Sequence, residues 1–240
     1  MTLRLGGARV RIHPLLPLLL LLSAALGQGE AVCAACGAFL LHEIGHLCAA
    51  RLFGLRPSEA ELTPFGAVMT LEGMESAGCA ASFLVALGGP LFSLLGFLLC
   101  PLLLRFTGLS FFLVAAFARY QWMLFLVNLL PALPLDGGRM LLAALKRLLP
   151  EQAVRRSLTG LAFCIGGGLA LLSLVFALRG ELNFGPCFAG LYLIYAALRE
   201  RRQLNIAYIT GLIARRQKLA EGRALRILTG ITGVLKYLYF

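Results

Sequence analysis

A chain of 240 residues that is 60% hydrophobic and 14% charged, with a mean hydropathy of +0.86, is not a soluble domain, because soluble domains carry about 25% charge. It reads as an integral membrane protein whose length suits one bundle of about six spans of about 20 residues each. The net charge of +11 would suit a nucleic-acid binder, but in a polytopic protein it fits basic loops beside anionic lipid, so no nucleic-acid partner is expected.

Residues 1–13 are polar and carry Arg4, Arg9 and Arg11. Residues 14–26 are apolar and fit either a signal peptide or a short retained first span; the span is carried forward here. His13 stands at its mouth and reads as an interfacial histidine rather than a ligand. Residues 31–53 form a second span. Its Cys33 and Cys36 make a C-x-x-C, read as small apolar residues on a helix, because no second such pair accompanies it. The seven cysteines are scattered through apolar stretches and form no disulfide framework.

Just past the middle of this span lies His42-Glu43-Ile44-Gly45-His46. On a helix, histidines at i and i+4 project from one face and can hold one metal ion. Glu43 is turned by about 100° from His42, beside the metal rather than on it, where it could take a proton from water. The chain has only three histidines, and two stand in this motif. Ionisable groups at membrane depth are costly and tend to be functional.

Residues 55–75 are less apolar. The run 59–71, interrupted by Pro64-Phe65-Gly66, fits a short hairpin or a loop equally well. Residues 78–104 form the third span, interrupted by Gly88-Gly89-Pro90, where Gly89 and Ser93 give a small-xxx-small spacing for close helix packing. Residues 109–130 form the fourth. Arg119 lies within it, either as a buried functional cation or, on the favoured reading, snorkelling to the outer face. In the following Asn128–Arg139 stretch, Pro131 and Pro134 break the helix, and Gly137 and Gly138 allow close backbone approach. Asp136 is the only aspartate of the chain. A short helix at 139–149, a fifth span at 157–178 and a sixth at 182–198 follow. The tail 199–240 is basic and partly amphipathic, suited to a membrane surface.

With the N-terminus in the cytoplasm and six spans, 19 of the 22 Lys and Arg residues fall on the cytoplasmic side, as the positive-inside rule requires. This topology brings His42, His46 and Asp136 to the same depth, toward the cytoplasm. A catalytic zinc takes three protein ligands and one open position. Asp136 and His13 are candidates for the third, with a cysteine as a weaker option. Asp136 is the better placed, because a broken helix at membrane depth is tolerated only where it lines a protein cavity.

His42-Glu43-Ile44-Gly45-His46, then Thr63-Pro64-Phe65-Gly66, then the run from Asn128 through Pro131 and Pro134 to Asp136-Gly137-Gly138, resembles the site-2 protease family of intramembrane zinc metalloproteases. The branch it looks most like is the sporulation stage IV branch, which processes the precursor of sigma factor K. The resemblance covers residues 13 to about 210. It implies that His42, His46 and Asp136 bind zinc, that Glu43 is the general base, and that Asn128 and Pro134 shape the substrate groove. Where many members place an asparagine, this chain has Ser93. The 42 residues after Leu198 are too few for the nucleotide-binding CBS domain that often follows in that branch, so ATP regulation by that route is not expected.

The expectation is therefore an all-α membrane protein of about six transmembrane helices with a short membrane-associated hairpin. Residues 1–198 make an intramembrane metalloprotease domain and 199–240 a basic cytoplasmic tail. It would be a zinc metalloendopeptidase of the bacterial cell membrane, cutting a membrane-tethered protein near the cytoplasmic face, a sigma-factor precursor being one candidate. Its partners would be that substrate, the lipid bilayer and regulatory membrane proteins. Two other classes compete. A transporter would hold an ion in transit on the same cluster, but it has no need of Glu43 and would carry inverted repeats, none of which is visible. A catalytically silent scaffold would bind no metal.

Overall fold

The computed structural model describes residues 2–5, 8–12, 17, 22–23, 25–63, 66–74, 76–180 and 185–238. In chain order these form β1 (Thr2–Leu5), β2 (Ala8–Ile12), α1 (Gly29–Leu52), β3 (Arg56–Thr63), β4 (Gly66–Glu72), α2 (Cys79–Phe106), α3 (Phe111–Asn128), α4 (Asp136–Leu145), α5 (Glu151–Leu178) and α6 (Gly185–Leu238). Two compact units are distinguished, Met1–Ala197 and Leu198–Phe240.

Among the described residues, four helices are long and apolar enough to cross a membrane: α1, α2, α3 and α5. They correspond to the spans expected at 31–53, 78–104, 109–130 and 157–178. Their exposed faces are leucine-rich, as at Leu91, Leu95, Leu98 and Leu102 of α2. So large an apolar surface suits hydrocarbon rather than water. Residues 185–198 open α6, which is not among the four. The expected first span at 14–26 lies mostly outside the described residues, as does His13.

The sheet is larger than a lone hairpin. β3 and β4 do pair antiparallel, with Glu61 opposite Val68 and Thr63 opposite Gly66. β2 adds to β3 in parallel and β1 to β2 antiparallel, giving the order β1-β2-β3-β4. Arg11 on β2 reaches Glu59 on β3 at 3.4 Å. The polar start of the chain, to which no structure was assigned above, thus supplies two strands. That leaves β3 with neighbours on both sides and β4 at the edge.

α1 and α2 meet backbone to backbone where Gly45 faces Gly88. A Cβ on Gly45 would fall 2.3 Å from the Gly88 carbonyl oxygen, and one on Gly88 would fall 2.4 Å from that of Gly45. Any side chain at either position would push the helices apart, so the glycine inside the His-Glu-Ile-Gly-His motif sets how closely α2 approaches the two histidines.

After α3 the chain breaks and crosses to α4. Leu133 packs with Leu142, Val154 and Leu158, and Ala132 packs with Ala162, Leu193 and Ala197. This wedges the irregular segment 129–135 against α4, α5 and the start of α6. Irregular backbone at membrane depth is tolerated when it is buried in protein in this way.

Candidate metal centre

His42 and His46 lie one turn apart on α1, with ring centroids 4.9 Å apart and planes at 82°. Asp136 is the first residue of α4, delivered to them by the broken segment. Its Oδ2 lies 3.1 Å from His42 Nε2 and 3.2 Å from His46 Nε2, and the two Nε2 atoms are 3.2 Å apart. His42 is 3% exposed and Asp136 6%, so the group is shut away from bulk solvent. The expected meeting of Asp136 with the two histidines is present; 94 residues separate Asp136 from His42.

The other ring nitrogens determine what these three atoms can do. His46 Nδ1 is 2.8 Å from the Val85 carbonyl oxygen. A carbonyl only accepts, so Nδ1 carries the proton and Nε2 presents a lone pair. The Gly89 N–H, 3.3 Å from the same Nδ1, is then a close contact and not a second hydrogen bond. His42 Nδ1 lies 2.9 Å from Ser93 Oγ, which can accept in the same manner. When Nδ1 is the donor on both rings, two lone pairs and a carboxylate oxygen converge at about 3 Å. Such an arrangement is repulsive by itself and is relieved by a cation held among the three.

The space around these atoms depends on Gly89. A Cβ there would fall 2.2 Å from His46 Nε2 and 2.7 Å from His42 Nε2. The α2 backbone therefore leaves open the position that a side chain would fill. Two neutral imidazoles, one carboxylate and an open side match the donor set of a catalytic zinc. His42, His46 and Asp136 are the group of metal-binding side chains found among the described residues.

Glu43, half-buried, sits within electrostatic reach of His46, His42, Asp136 and Arg139. Asn128, the last residue of α3, and Pro134, two residues before Asp136, are also half-buried and flank the segment that carries the aspartate. Arg119 is exposed, in keeping with the snorkelling reading.

Ser93, Val85 and Gly89 are the neighbours that sequence reasoning missed. The Gly89/Ser93 spacing reads as helix packing, yet Gly88 makes the backbone contact, while Gly89 and Ser93 both face the histidines. The departure from asparagine at position 93 was the available signal. Gln121 is fully buried against Gly96, and neither of its amide atoms has a partner among the described residues; nothing in the structure explains it.

The sheet is anchored beside this centre. Leu71 of β4, with Met74 and Ala77, packs on Ala50, Leu55 and Val85. Val85 is the residue whose carbonyl orients His46.

No protein-family model matches the chain. It is 26% identical over 209 residues to the stage IV sporulation protein FB of Bacillus subtilis, covering 86% of this chain and 71% of that protein. It is 28% identical over 173 residues to a zinc metalloprotease of Methanocaldococcus jannaschii, covering 71% of this chain and 49% of that protein. The chain thus spans about seven tenths of the first and about half of the second. Among solved structures, a site-2 protease from Methanocaldococcus jannaschii matches with a TM-score of 0.63 and 24% identity, over 83% of this chain and 94% of that one. That likeness is one of fold.

Proposed function

We infer that this chain, an intramembrane zinc metalloprotease of the site-2 protease family, cuts membrane-tethered proteins near the cytoplasmic face and releases a soluble part into the cytoplasm. The observation that carries the reading is the convergence of His42, His46 and Asp136 beside Glu43, on the side that Gly89 leaves open. In this reading the three side chains are the zinc ligands. Zinc, when bound, polarises a carbonyl and makes a water more acidic.

The remaining chemistry belongs to the chain's own residues. Glu43 accepts a proton from the attacking water and passes it to the leaving amine. Ser93 and the Val85 carbonyl hold the two imidazoles with Nε2 inward. Asn128 and Pro134 shape the groove through which the peptide reaches the centre. A helical substrate hides its scissile carbonyl in its own hydrogen bonds, so it must be bound extended. β4 offers the means. β2 already occupies the other side of β3, so β4 is the edge against which an unwound segment can add as a strand. Its attachment to Val85 through Leu71 ties that edge to the residue that holds His46.

The placement of positive charge supports a bacterial cell membrane with the site toward the cytoplasm. The resemblance to the sporulation branch supports a sigma-factor precursor as the narrower candidate substrate. The test is co-expression with tethered candidate proteins, comparing wild type with Glu43→Gln and mapping the cut by mass spectrometry. A cut near the cytoplasmic face, made by the wild type and not by the variant, is the expected result. A cut on the outer side, or wild-type cleavage by Glu43→Gln, would overturn the reading.

A further inference from the structure

Beyond the reaction, residues 199–218 form a feature that proteolysis does not use. They read Arg-Glu-Arg-Arg-Gln, then an eleven-residue block 204–214 rich in Leu, Ile and Ala, then Arg-Arg-Gln-Lys. All lie within α6. As helix the apolar block is about 16 Å long, against about 30 Å of hydrocarbon and about 20 residues needed to cross it. It is too short to span the membrane.

It is also too apolar to be a solvated face. Ile206, Ile209 and Ile213 fall at i, i+3 and i+7, on one side of the helix, and are exposed by 56%, 55% and 53%; Tyr208, on the other side, is exposed by 45%. The Thr210 hydroxyl donates back to the Ile206 carbonyl at 2.9 Å, so it offers little polarity to the surroundings. Six Lys or Arg residues and one Glu stand within 199–218, with the cations at both ends of the apolar block. Arg199, Arg201, Arg202 and Arg216 are exposed.

We propose that residues 199–218 are an interfacial anchor that lies along an anionic bilayer surface, with Ile206, Ile209 and Ile213 sunk among the acyl chains and the flanking arginines on lipid phosphates. Length and charge select this occupant. An apolar block too short to span, with cations at both ends, matches the boundary between hydrocarbon and negatively charged headgroups. Long arginine side chains can keep their charge at headgroup level while the helix lies lower. A second copy of the chain would set the same cations against each other.

The experiment uses the full chain in lipid nanodiscs, either wholly zwitterionic or with about one third anionic lipid. Trypsin cleavage at Arg199, Arg201 and Arg202 is timed by mass spectrometry. Anionic lipid should slow it at least about tenfold, since each basic residue near such a surface adds to binding. Two variants should each abolish the protection: Ile206→Ser with Ile209→Ser and Ile213→Ser, and Arg215→Gln with Arg216→Gln and Lys218→Gln. Equal cleavage in both lipids, or protection that follows protein concentration instead of lipid charge, would overturn the proposal. Neither variant touches the metal centre, so the result is independent of the proteolytic reading.

Discussion

Gly89→Ala adds one methyl group at the most confined point of the centre. The new Cβ would lie 2.2 Å from His46 Nε2 and 2.7 Å from His42 Nε2, where real Cβ contacts essentially never fall under 3.0 Å. Relief requires a shift of about 1 Å by α2 or by the rings. Both are restrained. α2 is held on α1 at Gly45 and Gly88, and the rings are held by Val85 and Ser93. Overpacking of this kind costs about 1–3 kcal/mol. Here it falls on the metal-bound arrangement, which needs both Nε2 atoms free, and corresponds to a loss of zinc affinity of about 5- to 150-fold. The assay is zinc competition against a chelator on purified protein, with thermal unfolding measured alongside. Gly160→Ala on α5 is the control: its Cβ would meet nothing within 4 Å, and alanine in a helix interior is favoured over glycine by roughly 0.5–1 kcal/mol. Wild-type zinc affinity in Gly89→Ala, with normal stability, would refute the argument that this glycine keeps the metal position open.

Glu43→Gln should retain zinc and lose about 10²–10⁴-fold in cleavage rate, because the amide keeps the size but cannot accept the proton; metal content and turnover measured on one preparation check both halves. Asp136→Asn should weaken zinc binding as well as activity, whereas His13→Ala should change neither; zinc lost with His13 and kept with Asp136 would reverse the ligand assignment. Ser93→Ala removes the partner of His42 Nδ1 and should lower zinc affinity or activity by about 10- to 100-fold, with Ser93→Thr recovering part of the loss; chelator competition on all three proteins decides it. Val68→Pro, on the edge strand opposite Glu61, removes a backbone N–H and should impair cleavage more than Val68→Ala does; equal activity of the two would detach the strand from substrate binding.

The local part of this protein could be read from the chain. Histidines at i and i+4 share a helix face wherever the helix is placed, so the pairing of His42 with His46 needs no tertiary information. Long apolar runs identify helices of spanning length because lipid offers backbone groups no partners outside the helix itself. Charge counting put Asp136 and the two histidines toward the same side of the membrane, and the broken helix at that depth favoured Asp136 over His13. Other features arise only when distant segments meet. Ser93 and Val85 reach the histidine rings because α1 and α2 close to backbone contact at Gly45 and Gly88, and the spacing of small residues along α2 does not say which glycine faces which neighbour. The strands at 2–12 exist as a sheet through pairing with a segment 50 residues away, Arg9 opposite Glu59 and Arg11 opposite Glu61. In isolation a two-stranded ribbon of that length is marginal, so nothing in residues 2–12 announces it. The pairing of His42 with His46 as candidate ligands was written in residue types at helical spacing. The partners that orient the two rings, and the space that Gly89 leaves beside them, were decided by the packing of α2 against α1.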